Sequence, residues 1–356
     1  MRVRFLLYRL GLLFLLSYGF LYFSYKWLNP TQVNTDFIEY YGMIQHPLDL
    51  HVAPSPWCFR QLTTLIASAF WRLHVYYPDA IQFHNSHYDQ RIFFAMLLTN
   101  YLGIILAALG TMMIADDLLA ERGIQSQLAP LLAGLFCFFD FYFQETTLTG
   151  QADGLSWAIM AFCYYFYRKR KLAPFALAMV LTVVQREIMP LIFLTFALID
   201  VWRERSRGPL RERRFLWSVL LVCCGVFASY LAWKHFTHIP GNEYQTDIDA
   251  QLYAILHFRP SKAYILQVFM GQNLLLALSF LWVLVYLRYR EISRNTLSLY
   301  ASCFVLVLLS VMANISNNAG RMLALLTPIV AVEITLALVR LDGSTRAADA
   351  EMLPTQ

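Results

Sequence analysis

Runs of about twenty mostly apolar residues return from one end of this chain to the other, and that recurrence constrains the fold more than any other feature. In lipid, every backbone polar group in such a run must be satisfied internally, and a helix does this segment by segment. Only 14% of the residues are charged, against about 25% in an ordinary soluble domain. The expectation is an all-α polytopic membrane protein with about ten transmembrane helices, within a range of eight to eleven. The runs lie near 5–23, 92–115, 128–143, 154–167, 172–184, 188–202, 215–236, 265–287, 296–314 and 322–340. Residues 1–340 form a single membrane domain on this reading, with 341–356 as a disordered cytoplasmic tail. The N-terminal run is followed by bulky Tyr22, Phe23, Tyr25 and Trp27 rather than small residues, so an uncleaved first span is expected.

Charge orients the spans. With the N-terminus inside, 19 of the 28 Lys and Arg residues fall on the inner side, including Arg168-Lys-Arg-Lys171 and the run from Arg203 to Arg214. The positive-inside rule therefore favours both termini inside. The segment from Asp116 to Gln127 runs against this bias, with one Arg and three acids. The net charge of +5 does not point to nucleic acid, because the basic residues sit in short connectors where they set topology. Two outer loops are long, 24–91 and 237–264. In the first, the eleven residues between Arg60 and Arg72 are too few to span and predict a helix lying at the membrane surface.

That first loop also carries the most suggestive chemistry. In Asn34-Thr-Asp-Phe-Ile-Glu-Tyr-Tyr41, Asp36 and Glu39 stand three residues apart, which on a helix puts both carboxylates on one face. Such a pair suits a general base or a metal. On the same predicted side fall Arg60, Arg186, Glu187, Arg321 and all eight histidines. Arg186-Glu187 is a charge pair within an apolar stretch, and ionisable groups at membrane depth are usually paired or functional. Arg321 puts a cation able to grip phosphate near the outer mouth. Asp153 opens a span, either as an N-cap or as part of the site. The six cysteines form no CxxC pair, and five lie in apolar runs, so no disulfide framework is expected. No Walker A motif, GxGxxG before a strand, or HExxH occurs, so no nucleotide cofactor is expected.

Four segments in order resemble the GT-C class of integral-membrane glycosyltransferases: Thr35-Asp-Phe-Ile-Glu-Tyr-Tyr41, Pro56-Trp-Cys-Phe-Arg-Gln-Leu62, Gln185-Arg-Glu187 and Gly320-Arg-Met-Leu-Ala-Leu-Leu-Thr-Pro328. The resemblance implies transfer of a sugar from a polyprenyl-phosphate donor to a glycan, lipid or protein acceptor. The reaction would occur on the periplasmic or extracellular face of the bacterial inner membrane. It further implies Asp36 as catalytic base, often near a divalent metal such as Mg or Mn, with Glu39 a second candidate ligand. Donor-phosphate binding falls to Arg60, Arg186 and Arg321, and support to Glu187, Asp153, Trp57, Tyr40 and Tyr41, the aromatic rings as platforms for sugar faces. No second acid lies directly beside Asp36, so Glu39, Glu187 and Asp153 all stay candidates to complete the site. Two other function classes fit the composition. One is a transporter or flippase for a lipid-linked glycan or small solute, with Glu333 lining a path. The other is a non-catalytic membrane component of a polysaccharide-assembly complex.

Overall fold

The computed structural model describes residues 3–27, 36–75, 89–139, 150–204, 210–239, 248–271, 294–313 and 319–351. Among them the chain is helical throughout, with turns and no strand. The first helices are α1 (Val3–Trp27), α2 (Asp36–Gln45), α3 (Gln61–Arg72), α4 (Gln90–Glu121) and α5 (Leu128–Phe136). The middle of the chain supplies α6 (Gly154–Arg168), α7 (Leu172–Leu181), α8 (Met189–Glu204) and α9 (Leu210–Thr237). The remainder are α10 (Ile248–Leu256), α11 (Lys262–Leu266), α12 (Arg294–Met312), α13 (Ala319–Ala324) and α14 (Thr327–Glu351). Four of these, α1, α4, α9 and α12, are long and apolar enough to cross a membrane. Most of the run at 265–287 lies outside the described residues.

Helix α1 turns its few polar residues inward and large apolar ones outward. The side of α1 that packs inward carries Arg9, Leu13, Ser17 and Leu21, while Leu15, Leu16 and Phe23 face out. The Ser17 hydroxyl meets Tyr101 of α4 at 2.7 Å. Short α3 follows the same logic. Its buried face is Gln61, Thr63, Thr64, Ala67 and Ser68, and Leu65 is turned outward. Twelve residues rise only about 18 Å, less than the hydrocarbon core of about 30 Å, so α3 does not cross alone.

The tightest pairing is α4 on α6. A side chain on Gly103 would come within 2.5 Å of the Gly154 backbone, and one on Gly110 within 2.9 Å of Ala161. Missing side chains let the two backbones approach closely, as small residues do between membrane helices. The last apolar run is not one helix. It breaks at Leu325-Leu326 and restarts as α14 at Thr327-Pro328. Proline has no N–H to donate, so it belongs at the first turn of a helix and not in its interior. From there α14 stays helical to Glu351, through most of the segment expected to be a disordered tail.

Ion pairs gather helix ends into one polar layer. Arg9 of α1 meets Asp116 of α4 at 2.7 Å. Arg168, the last residue of α6, meets Glu121 at 2.9 Å, and Lys169 meets Asp117 at 2.7 Å. The acids of 116–127 that ran against the charge bias are therefore partners of basic residues from neighbouring segments. This layer holds the start of α1 and the ends of α4 and α6. The starts of α4 and α6 lie at the other end of the bundle, and the candidate site is there.

Candidate functional site

Helix α2 begins at Asp36, which places Asp36 and Glu39 together in its first turn, both half-buried. Acids there also complement the positive end of the helix dipole. The inward face of α2 holds it in place through Phe37, Tyr40, Met43 and Ile44. Phe37 packs edge-on against Phe93 at the head of α4, with ring centroids 5.3 Å apart. Gly150, at φ +87°, leaves room for the Phe37 ring, which a side chain there would meet at 2.7 Å. Tyr41 accepts a hydrogen bond from the Asp89 backbone N–H at 3.2 Å. Burial first, and the neighbouring Asp36 charge second, raise the Glu39 carboxyl above its ordinary range.

Behind this turn lies a cluster built from three distant parts of the sequence. Arg60 follows a short 3-10 turn, Trp57–Phe59, whose Phe59 ring stacks edge-on against Trp233 of α9 at 4.8 Å. The Arg60 guanidinium donates to Glu187 at 3.0 Å and to the Tyr40 hydroxyl at 3.3 Å. Arg186 forms an ion pair with Asp153 at 3.1 Å. Arg60, Arg186 and Asp153 are buried, while Glu187 is half-buried. Burial would push the Glu187 carboxyl up, but the Arg60 and Arg186 charges and the Arg60 hydrogen bond outweigh it and hold it at about 2.

The connector that presents Arg186 and Glu187 is pinned by Gln185. Its amide oxygen accepts from Thr63 of α3 at 2.9 Å, and its amide nitrogen donates to Ser156 of α6 at 3.1 Å and to the Ala152 carbonyl. One residue thereby ties α3, α6 and the 182–188 turn together. Asn100 does similar work from within α4: its side chain accepts from the Gly154 N–H at 3.2 Å and donates to the Gln151 carbonyl. That fixes the loop on which Asp153 stands.

The sequence expectations fare unevenly against this geometry. Arg60, Arg186, Glu187, Asp153 and Tyr40 do converge. Tyr40, however, is fully buried and offers no ring face to a sugar; its hydroxyl positions Arg60. Tyr41 is half-buried and anchors the start of α4, and Trp57 is half-buried beside the cluster. Asp153 occupies the N-cap position of α6, but its side chain accepts no capping hydrogen bond and pairs with Arg186 instead. Arg60 and Arg186 are not bare cations awaiting a phosphate, because each already faces a carboxylate. The backbone of Arg321 is in α13, while its side chain lies outside the described residues, as does most of the Gln144–Asp153 segment.

Sequence reasoning missed Gln185 and Asn100 as organisers and Lys234 as a neighbour. Lys234 stands in the last turn of α9, close enough for its charge to act on the Cys58 thiol, which burial pushes up to about 12. Single polar residues within apolar runs, such as Asn100, were the available signal.

Among the described residues no three His, Cys, Asp or Glu side chains meet as a metal cage. Asp36 and Glu39 nevertheless fit a hard divalent ion that keeps most of its water, which needs only one or two carboxylates. Their mutual repulsion is the kind a cation relieves. Comparison with protein-family models, curated proteins and solved structures finds no match to this chain.

Proposed function

We propose that this protein is a membrane glycosyltransferase that moves a sugar from a polyprenyl-phosphate donor to an acceptor hydroxyl, with Asp36 as general base. The bilayer topology that goes with it has about ten crossings, both termini inside and the α2 end facing the periplasm or exterior of a bacterial inner membrane. The observation that carries the reading is that α2 carries a half-buried acidic turn at Asp36 and Glu39 and, through its Tyr40 hydroxyl, touches Arg60 of the Arg60–Glu187 and Arg186–Asp153 cluster.

The chemistry follows from those groups. Asp36 takes the proton of the acceptor hydroxyl as its oxygen bonds to the anomeric carbon. The bond from that carbon to the donor phosphate oxygen breaks, and the lipid phosphate leaves as an anion. Arg60 and Arg186 are balanced by Glu187 and Asp153, so the cluster as a whole is neutral. Their role is a fixed set of dipoles and N–H donors rather than surplus charge. Arg321 remains the candidate, from the sequence, for positive charge at the leaving phosphate. A divalent ion held by Asp36 and Glu39 supplies Lewis-acid stabilisation of the phosphate oxygens when bound.

The test is glycosyl transfer from a panel of polyprenyl-phosphate sugars by purified wild type and Asp36→Asn. Turnover by wild type with at least a hundred-fold loss in a folded Asp36→Asn supports the reading, since general-base catalysis contributes roughly 10²–10⁴-fold. Equal turnover removes Asp36 from the mechanism, and no turnover with any donor counts against the enzyme. A carrier of lipid-linked glycan or small solute is the second reading. Its observation is Glu333, buried in α14, which accepts from Thr296 at 2.8 Å, with Tyr164 3.3 Å from that hydroxyl. Loss of transport in Glu333→Gln without any glycosyl transfer by wild type favours the carrier.

A further inference from the structure

Between α7 and α8 the chain leaves the helix. A 3-10 turn, Thr182–Val184, leads into a connector that carries Gln185, Arg186 and Glu187 before α8 starts at Met189. The N–H groups of Gln185 and Arg186 donate to the Thr182 carbonyl at 3.2 and 2.8 Å, and the Met189 N–H donates to the Arg186 carbonyl at 3.2 Å. Those bonds close the turn on itself. They do not by themselves place it against α3 or α6. The Gln185 side chain supplies that placement. It is fully buried. Its amide oxygen accepts from Thr63 at 2.9 Å, and its amide nitrogen donates to Ser156 at 3.1 Å and to the Ala152 carbonyl.

The plainer explanation is a buried amide that has found its hydrogen bonds, as buried polar groups do. It accounts for the bonds but not for where they lead. Thr63 stands three residues after Arg60, Ala152 directly before Asp153, Ser156 three residues after it, and Gln185 directly before Arg186 and Glu187. One side chain thus joins the three segments that carry all four charges of the cluster. An uncharged amide is the group that does this, because the side chain must accept at one end and donate twice at the other. A carboxylate accepts only, and an apolar side chain does neither.

We propose that Gln185 is a positioning residue: its amide sets where Arg186 and Glu187 stand against Arg60 and Asp153, and through that placement it sets the rate of the transfer step. The second half rests on the transferase reading, and the first does not. Fixed dipoles and N–H donors stabilise a developing charge only while they are held in place. A misplacement of about 1 Å costs on the order of a hundred-fold in rate. Glu187 reports on the placement. Burial pushes its carboxyl up, yet Arg60 and Arg186 hold it at about 2. The stability lost in Glu187→Gln therefore measures how well the connector faces its partners.

The experiment is a double-mutant cycle on the full-length protein in detergent micelles. Thermal unfolding at pH 7 is followed for wild type, Gln185→Met and Thr111→Val, each with and without Glu187→Gln. Thr111 is the control: it is buried in α4, its hydroxyl lies 3.4 Å from the Cys137 sulfur, and it stands about 16 Å along the helix from Asn100. The drop in unfolding temperature caused by Glu187→Gln is expected to shrink in Gln185→Met and to keep its wild-type size in Thr111→Val. A drop of wild-type size in Gln185→Met overturns the proposal, and so does equal shrinkage in Thr111→Val. Should Gln185→Met fail to fold, Thr63→Val, which removes one of the three bonds at nearly constant shape, takes its place in the cycle. Glycosyl transfer by the same proteins separates the proposal from the reading it rests on. With an active wild type, Gln185→Met is expected to lower kcat on the order of ten- to hundred-fold at unchanged KM, and an unchanged kcat overturns the proposal. With a wild type inactive on every donor the transferase reading fails, and the Glu187 drop alone decides whether Gln185 positions the cluster.

Discussion

Glu187 shows how single charges hold the candidate site together. Its carboxyl is held at about 2 against an ordinary 4.5. A carboxyl depressed by folding contributes stability that is complete above its unfolded value of 4.5 and is lost as pH falls through 2. Thermal unfolding of Glu187→Gln followed from pH 7 downward should therefore start lower than wild type, and the gap should narrow through the acid range. A gap that stays constant with pH would deny Glu187 its charged, paired state. Arg60→Ala leaves a carboxylate beside buried Arg186 and Asp153 without its main partner. Such breaks cost about 3–5 kcal/mol. Replacing both members, as Arg60→Met/Glu187→Leu, should cost less than Arg60→Ala alone, because no unpaired charge remains. Asp153 carries the same lesson in reverse. An acid at the head of a helix reads as a cap in the sequence, and its partner Arg186 is 33 positions away in the numbering. Local pattern cannot reveal such a partner.

At the scale of elements, the helix-to-helix contacts set where the loops emerge. Gly103 and Gly154 bring α4 against α6, and Asn100, one turn before Gly103, hydrogen-bonds the chain on either side of Asp153. A side chain at Gly154 would collide with the Asn100 carbonyl. Gly154→Ala should then destabilise the protein by about 1–3 kcal/mol and also displace Asp153 from Arg186. Retention of wild-type unfolding temperature by Gly154→Ala would show that the pair can separate freely. Much of this level was legible beforehand. The apolar runs at 5–23, 92–115, 215–236 and 296–314 correspond to α1, α4, α9 and α12, because a lipid-crossing helix must be long and apolar along its length. That the segment after Arg60 is too short to cross alone was also legible, from length alone. What periodicity concealed was which face of α3 turns inward: its packed side is the polar one, with Thr63 meeting Gln185. The break at Leu325-Leu326 was hidden because both flanking segments are apolar, and only Pro328 marks it.

The molecule as a whole is polar at both ends and apolar between them, and the two ends differ in kind. One end pairs Arg9, Arg168 and Lys169 with Asp116, Glu121 and Asp117. The other carries the Asp36 turn and the ion pairs of Arg60 and Arg186. Which residues share an end is partly readable from span counting, since counting spans along the sequence puts Arg60 and Glu187 on one side. That they touch is not, because sharing a side is a matter of parity and touching is a matter of packing. The side belongs to the proposal and rests on charge: Arg168-Lys-Arg-Lys171 is a dense basic connector, and the positive-inside rule favours the cytoplasm for such connectors. Impermeant thiol labelling of intact cells tests this directly. In a background without native cysteines, His51→Cys, exposed in the loop after α2, should react from outside. Arg170→Cys, exposed at the other end, should react only after the membrane is opened. The opposite pattern would put Asp36 on the cytoplasmic face, where chemistry from an externally presented lipid-linked sugar has no access to it. Labelling of both from outside would mean that the two polar ends are not on opposite sides of a bilayer, and the bundle would have to lie in the membrane some other way.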